Sequence, residues 1–149
     1  MSRPRHLARK RAVQALYMWQ MTSENVSTIE HQFLLEQDMK NVDLKYFKEL
    51  LHNVPANVHE LDEHIEPLLD RPFHELDPVE CAIMRLGAYE LQHRLDIPYK
   101  VVINEAVELT KIFGAEEGHK YVNSILDKVA KKLRAIEINA AKKKSTPNR

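Results

Sequence analysis

Apolar residues recur at three- and four-residue spacing through almost the whole chain, and only three glycines interrupt its 149 residues. Alternating apolar and polar runs are nearly absent, so helical periodicity dominates and an all-α fold of about seven helices follows. The first helix, near residues 5–22, places Ala8, Ala12, Ala15, Leu16 and Trp19 on one stripe. A capping box of Ser27 and Glu30 opens the second, which turns Ile29, Phe33 and Leu34 inward. From Leu44 a long stripe runs through Phe47, Leu51, Val54, Val58, Leu61 and Ile65, and Pro55 inside it is expected to kink or divide that helix. A short helical piece follows around residues 67–73. Asp77 then caps a helix that has Pro78 and Glu80 in its first turn, buries Val79, Ile83 and Leu86, and uses Gly87 for close packing. Pro98 opens the sixth helix, on Val102, Ala106, Leu109 and Phe113, with Gly114 as its stop. The last, near residues 116–134, is built on Val122, Ile125, Leu126, Val129 and Leu133. Residues 1–138 read as one domain and residues 139–149 as a basic disordered tail.

The composition narrows the class. With 44% hydrophobic and 30% charged residues the chain can bury a core, and no stretch approaches a membrane span. One cysteine makes neither an internal disulfide nor a metal or redox pair, which suits a reducing compartment. The Arg-rich start resembles a transit peptide, but it runs on into Leu16, Tyr17, Met18 and Trp19, which belong to a folded element, so a cytoplasmic location is expected.

The formal charge of zero conceals a segregation. Residues 1–11 carry Arg3, Arg5, Arg9, Lys10 and Arg11 without an acid, and residues 128–149 carry eight basic side chains against Glu137 alone, so the ends total +12. The 9 basic and 21 acidic side chains between them total −12. Brought together by the fold, the ends would form a basic patch for phosphates, backed by an acidic body suited to a basic protein. Two solvated tails would explain the charge equally well.

No residue pattern supports catalysis. There is no glycine-rich phosphate loop, His59 and His64 are five apart rather than on one helical face, and the histidines read as surface residues. Cys81 lies in an apolar segment and reads as a packed thiol. Binding has more support. At 100° per residue, Lys10, Gln14, Tyr17 and Met21 point away from the first helix's stripe, and Glu117, Lys120, Ser124, Lys128 and Lys131 away from the last helix's, with Tyr121 at the edge. A tyrosine beside basic and amide groups can stack on and hydrogen-bond unpaired bases. Packing of Tyr17 or Tyr121 on a neighbouring helix is the plain alternative.

Three segments, residues 12–20 (AVQALYMWQ), 76–91 (LDPVECAIMRLGAYEL) and above all 97–128 (IPYKVVINEAVELTKIFGAEEGHKYVNSILDK), carry a resemblance to the NusB family of bacterial transcription antitermination factors. It covers about residues 5–133 without evident gaps. The resemblance implies two packed three-helix subdomains and no enzymatic activity or cofactor. It implies binding, with the small-subunit ribosomal protein NusE, to boxA in nascent ribosomal RNA leaders, which helps RNA polymerase read through terminators. Matched to that family, Arg3, Arg5, Arg9, Lys10 and Gln14 fall on the RNA-facing surface, joined by Lys120 and Tyr121, with Glu117 and Arg85 close by. Tyr17 and Glu80 match positions at the boundary between NusE and RNA. NusB-like domains also precede the catalytic part of some ribosomal RNA cytosine methyltransferases, which leaves an RNA-binding appendage as the alternative. Monomeric and homodimeric states both remain open.

Overall fold

The computed structural model describes residues 2–145, which form eight α-helices, two short 3-10 turns and no strand among the described residues. Helix α1 (Arg3–Thr22) starts from Ser2, whose hydroxyl accepts from the Arg5 amide at 3.4 Å, and has proline in its first turn. It ends at Ser23, which turns left-handed (φ 57°) and returns its N–H to the Trp19 carbonyl at 2.9 Å. Helix α2 (Val26–Glu36) begins earlier than its capping-box pattern suggests. Asn25 supplies the cap, its side chain accepting from the Ser27 amide at 2.8 Å. Of its expected inward residues Ile29 and Phe33 are buried, whereas Leu34 is 37% exposed. One helical step past Phe33, it turns off the narrow stripe that this short helix presents to its neighbours.

Pro55 divides the long stripe into α3 (Leu44–Ala56) and α4 (Val58–Ile65). Proline brings no N–H to the Leu51 carbonyl, and the chain re-forms its bonding at Asn57, whose amide reaches the Asn53 carbonyl at 3.1 Å. The break lets the two pieces serve different neighbours. Helix α3 packs on α1 and α2, while α4 lies against α5 (Pro78–His93) and α7 (Gly118–Leu133). Two 3-10 turns, Glu66–Leu68 and Phe73–Glu75, lead from α4 into α5.

The architecture is therefore α1–α3 packed against α5–α7, with α6 spanning Tyr99–Phe113 and α4 at the junction. One core runs through both groups, from Ala12, Leu16, Phe33 and Phe47 to Ile83, Leu109, Val122 and Leu126. Gly87 is where α5 meets α7 closely. A Cβ there would stand 2.7 Å from Leu126 Cδ1, inside van der Waals contact. Gly114 stops α6 in an extended conformation (φ −87°), so its role is spatial. A Cβ would come within 2.9 Å of the Thr110 carbonyl oxygen.

At the start of α5 the Asp77 carboxylate accepts from the Val79 amide at 2.8 Å and the Glu80 amide at 3.4 Å. Asp77→Ala is expected to cost about 1 kcal/mol by removing this cap. Urea unfolding would read that loss; a stability equal to wild type would mean that the preceding 3-10 turn alone fixes the start of α5.

The basic end departs from its expectation. Residues 139–145 complete helix α8 (Ala135–Ser145), and the remaining tail residues, 146–149, lie outside the described residues. Ala135, Ala140 and Ala141 and the unbranched lysines are strong helix formers, and Lys142, Lys143 and Lys144 occupy the last turn, where cations suit the helix dipole. No helix of the described residues is long and apolar enough to cross a membrane.

Candidate nucleic-acid interface

The basic run at the start of α1 is split by helical phase. Arg3 is exposed, and Arg5 and Lys10 are half-buried. Arg9 is only 2% exposed and cannot meet a phosphate in this conformation, which corrects its sequence assignment. It lies three residues before Ala12 and seven before Leu16, on the core stripe itself. Inside, its Nε donates to both Glu90 oxygens, at 3.2 and 2.9 Å, and its Nη1 to Glu105 at 3.0 Å. His6 Nδ1 lies 2.8 Å from the other Glu105 oxygen, and the Tyr46 hydroxyl donates to Glu90. The guanidiniums of Arg5, Arg9 and Arg94 all lie against the Tyr46 ring, at 4.7, 5.4 and 5.0 Å from its centroid. Burial pushes Glu90 above the ordinary glutamate range, with Arg9 opposing that shift.

Further along α1, Gln14 accepts from Arg11 at 3.0 Å, and Tyr17 is 39% exposed. Both line a largely apolar groove of about 410 Å³ with Met21, Phe33, Val79 and Phe113. A second cleft, of about 430 Å³, is lined by neighbouring stretches of chain: Val79 and Phe113 belong to the groove, Glu80 and Ala115 to the cleft. Glu80, Glu117 and Tyr121 all line that cleft. Gln14 and Tyr17 thus line one depression, and Glu80, Glu117 and Tyr121 line another.

Their states differ from the simple outward picture. Glu80 is 8% exposed and accepts from the Ala115 amide at 3.2 Å. Its carboxylate fills the space that a side chain at Gly118 would need, with Oε2 standing where a Cβ would go. Burial raises its pKa. It is thus a brace for the turn before α7 as well as a wall of the cleft. Tyr121 donates its hydroxyl to Asp70 at 3.0 Å, and Arg71 lies 5.3 Å from its ring centroid. One face of Tyr121 is therefore already engaged, by the loop between the two 3-10 turns. Glu117, in a left-handed conformation (φ 70°), pairs with exposed Lys120 at 2.7 Å. Arg85 is not free for RNA in this conformation. It holds Asp62 with two hydrogen bonds of 2.9 and 2.8 Å and Gln20 with a third, tying α5 to α4 and α1.

Cys81 is buried, and burial pushes its thiol up to about 11, as a packed rather than a reactive cysteine requires. The histidines are not uniformly at the surface. His6 is engaged as above, and both ring nitrogens of His64 are shielded from solvent without a hydrogen-bond partner. Sequence reasoning missed Glu90, Glu105 and Tyr46 altogether. The signal was present, because Glu90 falls seven residues after Ile83, and Glu105 three after Val102, on buried stripes.

Comparison with known proteins settles the family. The model of the NusB family matches residues 6–131. The chain is 55% identical over 140 residues to the transcription antitermination protein NusB of Nitrosococcus oceani, covering 94% of each chain. The chain belongs to the NusB family. A second NusB, from Shewanella piezotolerans, is 58% identical over 125 residues, covering 84% of this chain and 93% of that one. Among solved structures, NusB from a crystal of antitermination factors NusB and NusE in complex with dsRNA is similar with a TM-score of 0.79 and 31% identity, over 89% of this chain and 99% of that one. T. maritima NusB follows at 0.75 and 30%, over 88% and 93%. The NusB relatives are named for transcription antitermination and not for a catalysed reaction.

Proposed function

We propose that this chain is an RNA-binding antitermination factor that binds boxA in nascent ribosomal RNA leaders together with NusE and supports read-through by RNA polymerase in the cytoplasm. The observation that carries this reading is the pairing of two depressions, one lined by Gln14 and Tyr17 and the other by Glu117 and Tyr121, with exposed cations on the helices that line them, Arg3 on α1 and Lys120 on α7. The likeness to a NusB crystallised with NusE and dsRNA supports it. In this reading Arg3, Arg5, Lys10 and Lys120 meet phosphates, Gln14 offers hydrogen bonding to bases, and the face of Tyr121 away from Arg71 offers stacking. The groove beside Tyr17, with its apolar lining, and the carboxylates around Glu80 form the surface for the basic protein partner. The binding unit comprises residues 1–138.

Lys10→Ala combined with Lys120→Ala is expected to weaken boxA binding and to flatten its salt dependence, by about 1.4 in the slope of log K against log salt for two lost contacts with single-stranded RNA. Fluorescence titration of labelled boxA with recombinant NusE, against a scrambled RNA, reads both quantities. An unchanged affinity and slope would remove these two lysines from the site, and equal binding of the scrambled RNA would remove boxA as the ligand.

A further inference from the structure

We infer that the buried bridge of Arg9, Glu90 and Glu105 is the positioning device for the RNA-facing end of α1, so that the Glu105 carboxylate, whose charge alone opposes RNA binding, promotes it. The inference rests on the RNA-binding reading above.

The first three turns of α1 are electrostatically unfavourable by themselves. They hold Arg3, Arg5, His6, Arg9, Lys10 and Arg11 with no acid in the first turn, at the end of the helix where its dipole also repels cations. Arg5 and Arg9 are one turn apart, a like-charge spacing that destabilises a helix. The Ser2 cap, at 3.4 Å, is long. What holds these turns comes from other elements. Arg9 spans Glu90 of α5 and Glu105 of α6, and Glu105 reaches back to His6. Arg5 lies on the Tyr46 ring of α3, and the Asp43 amide donates to the Pro4 carbonyl at 3.1 Å.

One buried guanidinium thus receives two carboxylates that are each 1% exposed. Such groups are held by close pairing or not at all. The consequence for the surface is preorganisation. With His6 and Arg9 fixed inside, Arg3 and Lys10 project from a helix whose backbone is already ordered, and their ordering need not be supplied on binding. Glu105 therefore acts through Arg9 and His6, and not by touching RNA.

Glu108 provides an internal control. It lies on the same helix, lines the same shallow cleft beside Ser2, Arg3 and His6, and is 60% exposed with Lys111 at 3.8 Å. Neutralising either carboxylate removes the same charge from the basic end. Electrostatic steering alone predicts equal or tighter RNA binding for both changes.

The test compares Glu105→Gln, Glu108→Gln and Arg9→Lys by anisotropy of labelled boxA RNA with NusE across a salt series. Glu108→Gln is expected to bind as well as wild type or slightly better. Glu105→Gln should bind about fivefold or more weakly, with a shallower salt slope as Arg3 and Arg5 lose their fixed geometry. Arg9→Lys, which keeps the charge but not the two-carboxylate fork, should shift the same way. Amide hydrogen exchange over residues 3–10 should be faster in Glu105→Gln and unchanged in Glu108→Gln, with thermal melting confirming that each variant is folded. Glu105→Gln binding as tightly as Glu108→Gln would overturn the inference. So would Arg9→Lys with wild-type affinity and slope, or exchange left unchanged in Glu105→Gln. Failure of the wild type to prefer boxA over scrambled RNA overturns the RNA reading instead, and the exchange measurement still decides whether Glu105 anchors α1.

Discussion

Arg9→Met is expected to lower the unfolding free energy by about 3–5 kcal/mol, because it leaves Glu90 and Glu105 buried without their common partner. In a chain of this size that corresponds to a fall in melting temperature of roughly 10 °C. Arg3→Met, on the exposed side of the same helix, should stay within about 0.5 kcal/mol of wild type. The effect also has a pH signature. Glu90 already titrates above the ordinary glutamate range because of burial, so the folded chain holds a proton there more readily than the unfolded chain does. Stability contributed at such a site falls as pH rises from the ordinary glutamate range through the raised value. Without Arg9 opposing it the shift grows, so the deficit of Arg9→Met should be smaller near pH 5 than near pH 8. Urea unfolding at the two pH values, with far-ultraviolet dichroism as the probe, measures this. Equal losses for Arg9→Met and Arg3→Met would show that the buried bridge contributes nothing.

The second large effect belongs to Arg134, in the turn between α7 and α8. Its buried guanidinium donates to the carbonyls of Leu91 at 2.7 Å, Arg94 at 2.9 Å, Ile97 at 3.0 Å and Glu90 at 3.2 Å. It also reaches Glu137 at 2.6 Å, and Glu137 accepts the Tyr99 amide at 2.9 Å, capping α6. One side chain thus adds donors to the carbonyls at the end of α5, two of which, Glu90 and Arg94, also accept the Arg94 and Ile97 amides, and places a cation where that helix's dipole is negative. Arg134→Met removes all of these donors at once and should cost about 3 kcal/mol, with Arg134→Lys recovering only part because an ammonium cannot span the fork. Hydrogen exchange should rise first at the α5–α6 turn. If Lys restores full stability, charge and not geometry is what Arg134 supplies there.

Much of the fold was legible because apolar periodicity reports burial directly. The stripes of α1, α5, α6 and α7, the division at Pro55 and the Asp77 cap all follow from local rules that the packing leaves intact. The site was legible less evenly. Tyr17 and Lys120 lie on the outward faces where helical phase puts them, whereas Lys10 is half-buried and Glu117, expected within the last helix, precedes it in a left-handed turn. Arg9 and Arg85 were placed at the RNA-facing surface by the family resemblance, and each instead meets carboxylates on helices distant in sequence. Three charges of both signs at core-phase positions, Arg9, Glu90 and Glu105, were the available warning that ions pair inside this molecule. Asn25 displaced Ser27 as the cap of α2 because both can serve, and only the tertiary path of the preceding turn chooses between them.

The partners of Arg9 lie 81 and 96 residues further along the chain. During synthesis α1, α2 and α3 can leave the ribosome and collapse together long before Glu90 and Glu105 exist, since N-terminal segments are made and fold first. Throughout that interval the stripe of α1 carries an unpaired guanidinium that favours water over the interior. The element that bears the basic surface is therefore among the first to be made and among the last to be finished. A chain arrested before α6 is complete would present its cations on a helix that lacks the anchor supplied by Glu90 and Glu105.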